Sequence, residues 1–182
     1  MRRFFWFLNK FFMVPMFRLG FGPFFGNPFS GYIMVLKVTG RKTGKLRYAP
    51  VNYAIFDGRV YCLSGYRLGS DWYRNLRAQP AIQAILPGGA IAGLATENID
   101  PAFRPTIIRK ILQNAGFAGF FEGYNPFRIS DEELTRKTAD MPLICIQPTG
   151  LGSGASDPGG WAWVWAPVFT ILLILVLWLV LR

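Results

Sequence analysis

The residues best equipped for chemistry in this chain fall in one short stretch, Thr39-Gly40-Arg41-Lys42-Thr43-Gly44-Lys45. Two glycines permit a tight loop, and that loop presents backbone N–H groups, a hydroxyl and several cations together. Such a loop can hold a phosphate or carboxylate. It is not a Walker loop, because the glycine spacing differs and no helix pattern follows. A second stretch, Ser64-Gly65-Tyr66 with Trp72, Tyr73 and Asn75 shortly after, adds an aromatic and polar patch. An anion site beside such a patch suits a planar, phosphorylated cofactor. The chain contains no histidine. Ser-His-Asp and Cys-His hydrolases and the usual histidine-bearing metal and haem sites are thereby set aside. Cys62 and Cys145 stand in apolar stretches without metal-ligand spacing and read as reduced core residues, so no metal is expected.

The elements that must position these residues are legible from pattern. IMVLKV, beginning at Ile33, is β-prone and ends at the basic turn. LRYAPVNYAIF follows as a strand and closes at Asp57-Gly58, a strong hairpin signal, with RVYCLS returning. Ser70-Asp71 starts a short helix over WYRNLRAQ that Pro80 stops. AIQAIL and AIAGLATENI pair about Pro87-Gly88-Gly89. Ile107, Ile108, Ile111 and Leu112 at helical spacing mark a helix over about 102–114. Ser130 with Glu133 forms a capping box for one more helix. PLICIQP is the last strand. Tight hairpins without intervening helices exclude a parallel nucleotide-binding sheet in the first half. The expected fold class is therefore mainly β with α (α+β): an antiparallel barrel of about six strands with short helices.

Charge and hydropathy describe the ends. The 182 residues carry a formal net charge of +10, and no acidic residue precedes Asp57. That balance suits an anionic membrane surface or a polyanionic ligand. No recognition motif accompanies it, so nucleic acid is not the expected partner. Residues 1–24 form a basic, aromatic helical segment with Arg3, Lys10 and Arg18 on roughly one face. It reads as a helix lying in the membrane interface, with packing on the domain as the other arrangement. Asn9 and Lys10 interrupt its apolar stretch, and no small-residue cleavage site follows, which argues against a secretory leader. Residues 25–148 are the barrel domain, and 149–160 a Gly/Ser linker. The uncharged run 161–181 has the length of one C-terminal transmembrane helix, with Trp161, Trp163, Trp165 and Trp178 near its ends. The basic domain with only Arg182 beyond the helix predicts a single-pass protein of the cell membrane whose domain faces the cytoplasm.

VLKVTGRKTGKLRYAPVNYAIFDGRVYCLS followed by WYRNLRAQP resembles the deazaflavin (coenzyme F420)-dependent nitroreductase and quinone reductase family over roughly Phe25 to Gln147. The resemblance implies a split β-barrel and coenzyme F420 as cofactor. It implies that Arg41, Lys42 and Thr43 hold the cofactor's phosphate and acidic tail. Pro50, Asn52, Leu63, Ser64 and Gly65 would line the deazaflavin, and Trp72 and Tyr73 would close the site. Some of these reductases have tyrosine where Asn52 stands and a basic residue where Gly65 stands. The usual tyrosine-rich substrate region is represented here by Phe117, Phe120, Phe121 and Tyr124. Barrels of the family often pair, so a homodimer is a further expectation.

The expected activity is hydride transfer from reduced deazaflavin to a quinone, nitro or similar acceptor. Ser64 and Tyr124 are the expected hydrogen-bond donors to the acceptor oxygen. A phenylalanine-lined lid suits a lipophilic quinone delivered from the bilayer. Two other readings are an FMN-binding oxidoreductase on the same barrel and a non-catalytic protein that carries lipid or cofactor.

Overall fold

A computed structural model describes residues 7–28, 31–116, 119–120, 125–152 and 165–181. Six strands close a barrel: β1 (Ile33–Thr39), β2 (Leu46–Phe56), β3 (Arg59–Leu63), β4 (Ala81–Leu86), β5 (Gly89–Thr96) and β6 (Leu143–Leu151). The order around the barrel is β1-β2-β3-β6-β5-β4, and every pairing is antiparallel. The Asp57-Gly58 turn has φ of 48° and 68° at its two central residues. This is the doubly left-handed turn whose twist matches two antiparallel strands. β6 continues three residues past the expected end of the domain, with Leu151 opposite Ile91.

Period-two alternation sends Met34, Leu36 and Val38 of β1 inward with Tyr53, Cys62, Ile82, Ala84, Ile144 and Ile146. One mouth of the barrel is plugged by α3 (Asp71–Ala78), whose Tyr73 and Leu76 join that interior cluster. Two outer faces are covered by helices. Ile107, Ile108, Ile111 and Leu112 of α4 (Arg104–Gln113) and Leu134 of α5 (Asp131–Thr138) pack on Ala54, Tyr61, Leu143 and Cys145. The capping box is present: Ser130 Oγ accepts from the Glu133 N–H at 3.2 Å. On the other side a π-helical turn (Asn9–Met13) leads into α1 (Val14–Arg18) and then α2 (Gly22–Phe25). Met13, Val14 and Phe17 are buried against Val35, Ile85 and Ala90.

The C-terminal expectation needs correction. α6 (Trp165–Val180) is a helix of 16 residues, about 24 Å at 1.5 Å per residue against a hydrocarbon core of ~30 Å. Among the described residues no helix is long and apolar enough to cross a membrane. The first four residues of the expected span, 161–164, lie outside the described residues, as does 153–160 of the linker.

Burial has a consequence for pH. The Cys62 thiol inside the barrel is pushed far above its ordinary range by desolvation, with the neighbouring Cys145 adding to the shift. The Tyr53, Tyr61 and Tyr73 hydroxyls are also raised, first by desolvation, and then by Tyr32, Cys145 and Glu97 respectively. Neutral forms are thus favoured in the folded state. Their contribution is complete below the unfolded values and is lost as pH climbs through the raised folded ones. Between about pH 7 and 8 these groups should leave the melting temperature unchanged, and it should fall progressively above about 9. A melting temperature that holds flat well into the tyrosine range would contradict this.

Candidate functional site

The site begins where β2 outgrows β3. β2 pairs with β1 from Leu46 to Asn52, but with β3 only from Tyr53 to Phe56. The first half of β2 therefore has one strand neighbour, and the barrel is split there. Pro50 is tolerated in this long strand because it lies along the unpaired edge. Pro50 stands opposite Val35, Asn52 opposite Ile33, and Tyr48 opposite Lys37. Val35, Ile33 and Tyr48 belong to the cluster under the N-terminal helices. By register, Pro50 and Asn52 share that outer face.

Asn52 sits in a tight corner. Its Nδ2 donates to Tyr32 O at 3.4 Å. Gly31, with φ of +93°, passes so close that a Cβ there would lie 2.8 Å from Ala115 O and 2.9 Å from Asn52 Nδ2. Only glycine fits. The end of α4 is tied to the same corner: Asn114 Nδ2 donates to Tyr53 O at 3.0 Å, and Asn114 O accepts from Tyr32 N at 2.7 Å. Leu63, at the end of β3, packs on the α4 side of the barrel, and Gly65 is exposed just beyond it.

The basic turn lies about 20 Å along β2 from Asn52, six residues at ~3.4 Å each. Most of its amides are committed. Gly40 N donates to Lys45 O (2.8 Å), while Thr43 N (3.2 Å) and Gly44 N (2.8 Å) donate to Gly40 O. Lys45 N reaches Thr43 Oγ1 at 3.4 Å. The Arg41 amide donates to Asn75 Oδ1 at 3.2 Å. The expected nest of free N–H groups is thus largely replaced by a bonded turn, and an anion there would be gripped mainly by side chains. Arg41 is not among those at liberty. Its Nη1 donates to Asn75 Oδ1 at 2.8 Å and its Nη2 to Asp71 Oδ1 at 3.1 Å, bolting the turn to α3. Lys42, Lys45 and Arg47 are exposed and form no ion pair among the described residues. They are the cations that can meet an anionic ligand.

Several other expected site residues are placed elsewhere. Ser64 is 0% exposed. Its hydroxyl donates to Arg67 O at 2.7 Å and pairs with Ser70 Oγ at 2.8 Å, stapling the loop between β3 and α3. A polar residue at a strand end reads the same in sequence whether it faces a ligand or folds back on its own loop. Tyr73 is buried in the barrel plug, its hydroxyl donating between the two Glu97 carboxylate oxygens at 3.0 Å each. Trp72 is half-buried beside it, edge-on at 6.3 Å. Both pack on the interior cluster of the barrel. Tyr124, Phe117 and Phe121 lie outside the described residues, and Phe120 is exposed.

Two residues that sequence reasoning did not select stand on the site face. Arg18 of α1 stacks over the Tyr48 ring at 4.6 Å, and its Nε and Nη2 are buried without a hydrogen-bond partner among the described residues. Helical spacing placed Arg18 on a basic face, but only the fold puts it over β2. Two concavities, of about 480 and 450 Å³, lie away from all these residues. The first is at the β2–β3 hairpin, between Phe56, Asp57, Arg59 and Phe103, and contains none of the expected site residues. Among the described residues no group of histidine, cysteine, aspartate or glutamate could hold a metal.

A closed six-stranded antiparallel barrel with a split edge, a proline on that edge and a basic turn at its end defines a split-barrel protein with an exposed basic margin. The family model for F420H(2)-dependent quinone reductase matches residues 15–114, more than half of the chain, and the chain belongs to that family. It is an F420-dependent oxidoreductase, and its cofactor is coenzyme F420. No curated protein matches the chain. Among solved structures it is similar to a conserved hypothetical protein from Mycobacterium tuberculosis (15% identity, 66% of this chain and 74% of that one, TM-score 0.46). It is also similar to an F420-H2 dependent reductase, FDR-A (20%, 63% and 93%, 0.43), and to a heme binding protein from Mycobacterium smegmatis (13%, 74% and 51%, 0.46). Likenesses at that level leave the assignment to the family match. The chain's own residues fit the cofactor's anionic character, since Lys42, Lys45 and Arg47 stand exposed beside a split barrel edge.

Proposed function

We propose that this protein is a membrane-associated oxidoreductase that passes a hydride from reduced F420 to a lipophilic quinone. The observation that carries the reading is the family match over 15–114, which takes in the basic turn, Pro50, Asn52 and α3. Reduced deazaflavin supplies the hydride when bound. The chain supplies binding and orientation. Lys42 and Lys45, with Arg47, hold the phosphate and acidic tail through charge-assisted hydrogen bonds. Arg41 positions that turn against α3 and does not itself grip the ligand. Pro50, Asn52, Leu63 and Gly65 form the wall for the ring, and Arg18 over Tyr48 closes the side under α1. Tyr124 remains the proposed hydrogen-bond donor to the acceptor oxygen, whereas Ser64 holds the neighbouring loop.

Membrane association is supported by α6. It has no charged residue, and Phe169 through Leu181 are exposed around its whole surface, with Leu181 at 82%. A helix apolar all round needs an apolar surrounding. Positive charge on the domain suits the anionic cytoplasmic leaflet. The acceptor is tested by following F420H2 oxidation with a lipophilic quinone and with a nitroaromatic, each in detergent. Faster turnover with the quinone is expected. Turnover with the nitroaromatic alone would overturn the quinone assignment while leaving the F420 chemistry in place.

A further inference from the structure

The N-terminal segment carries two faces that do different things. In an uninterrupted α-helix Phe7, Phe11 and Val14 would share one side, at i, i+4 and i+7. Here they do not. Val14 is buried with Met13 and Phe17 against the barrel, yet Phe7 is 59% exposed. The π-helical turn at Asn9–Met13 lies between them, and its wider i→i+5 spacing shifts the register so that the phenylalanines leave the buried stripe. Phe7 packs on Phe11 at 4.8 Å, and the Lys10 ammonium lies 5.1 Å over the Phe11 ring. After α1, Phe21 and Phe24 make a second pair at 6.2 Å, with Phe24 at 75% exposure. Large aromatics held outward on a segment whose other side is docked are characteristic of an interaction surface.

We infer that Phe7, Phe11, Phe21 and Phe24 form a docking face for an anionic lipid surface. Charge identifies the partner: Lys10 stands within the aromatic group, and no acidic residue occurs among the first 56. Exposed phenylalanine beside lysine, without carboxylates, matches the interface of an anionic bilayer, where rings enter the acyl boundary and ammonium groups meet the headgroups. The packed and the interfacial arrangements of this segment are therefore simultaneous: Met13, Val14 and Phe17 hold the barrel, and the phenylalanines hold the lipid. This contact is separate from α6 and from the reductase reading. It would orient the barrel with the α1 side, and so the Pro50 face, toward the membrane.

The test uses the full chain with Phe24→Cys carrying a polarity-sensitive fluorophore. Cys62 and Cys145 are buried, so labelling falls on the introduced thiol. Arg136→Cys on α5, which packs in a different cluster, is the control position. Vesicles of phosphatidylglycerol and phosphatidylcholine should raise and blue-shift the Phe24→Cys emission several-fold and leave Arg136→Cys unchanged. Lys10→Glu in the same labelled chain should weaken that response. No response at Phe24→Cys with anionic vesicles, whether or not the protein sediments with them, overturns the proposal. So does a response that appears without lipid as the chain concentration rises, which would make a second copy the occupant. Oxidation of F420H2 by a water-soluble acceptor without lipid does not involve this face, and its failure counts against the reductase reading alone.

Discussion

Lys42→Ala is expected to weaken F420 binding by about 1–3 kcal/mol, roughly five- to 150-fold, while leaving the unfolding midpoint where it was. Lys42 is exposed on the turn and holds no partner within the described fold, so its removal costs the structure little. Its neighbour should behave in the opposite way. Arg41→Ala removes donors from Asn75 Oδ1 and Asp71 Oδ1, which lie 2.8 and 3.1 Å from its guanidinium. Asn75 is buried, so its oxygen keeps only the backbone bond from residue 41. A loss of about 1–2 kcal/mol of stability is expected, discounted for the exposed Asp71 carboxylate. Binding should fall only as far as the turn loosens. Equilibrium titration with F420 beside urea unfolding of the two variants reads the contrast. Equal behaviour of the pair would remove the distinction between a residue that grips ligand and one that holds the turn.

The largest effect on stability is expected from Phe17→Ala. Phe17 is 1% exposed at the centre of the cluster that fastens α1 to β1, β4 and β5. Truncating a buried phenylalanine costs about 3–5 kcal/mol, part lost transfer energy and part cavity. The consequence reaches the site through geometry. Arg18 follows Phe17 on the same short helix and stacks on Tyr48 of β2. If α1 loosens, that guanidinium leaves the face that carries Pro50 and Asn52. Chemical denaturation should show the stability loss, and F420 affinity should decline with it. A variant with unchanged affinity despite the lost stability would place the cofactor away from α1.

Most of the barrel was legible because its signals are local. Asp57-Gly58 demands two left-handed residues and permits few alternatives. Ser130 and Glu133 cap a helix wherever they begin one. LRYAPVNYAIF coincides with β2, including its proline, although only the short β3 partner explains why a proline is acceptable there. The site was less legible because its geometry is set by contacts distant in sequence. Arg41 and Lys42 are adjacent and both basic, yet Asn75, 34 residues later, takes one and leaves the other. Ser64 and Tyr73 have the composition of site residues but are turned inward by Ser70 and Glu97. The N-terminal segment offered two arrangements in sequence as alternatives. A π-helical turn, which no propensity marks, separates the faces that would serve each.

The cofactor that the folded barrel binds decides its chemistry. Purified protein titrated in parallel with oxidised F420, FMN and FAD, followed by fluorescence polarisation, measures that choice. Saturable binding of F420, weakened in Lys42→Ala and far tighter than either flavin, is the predicted result. Saturable binding of FMN with no polarisation change for F420 would contradict it.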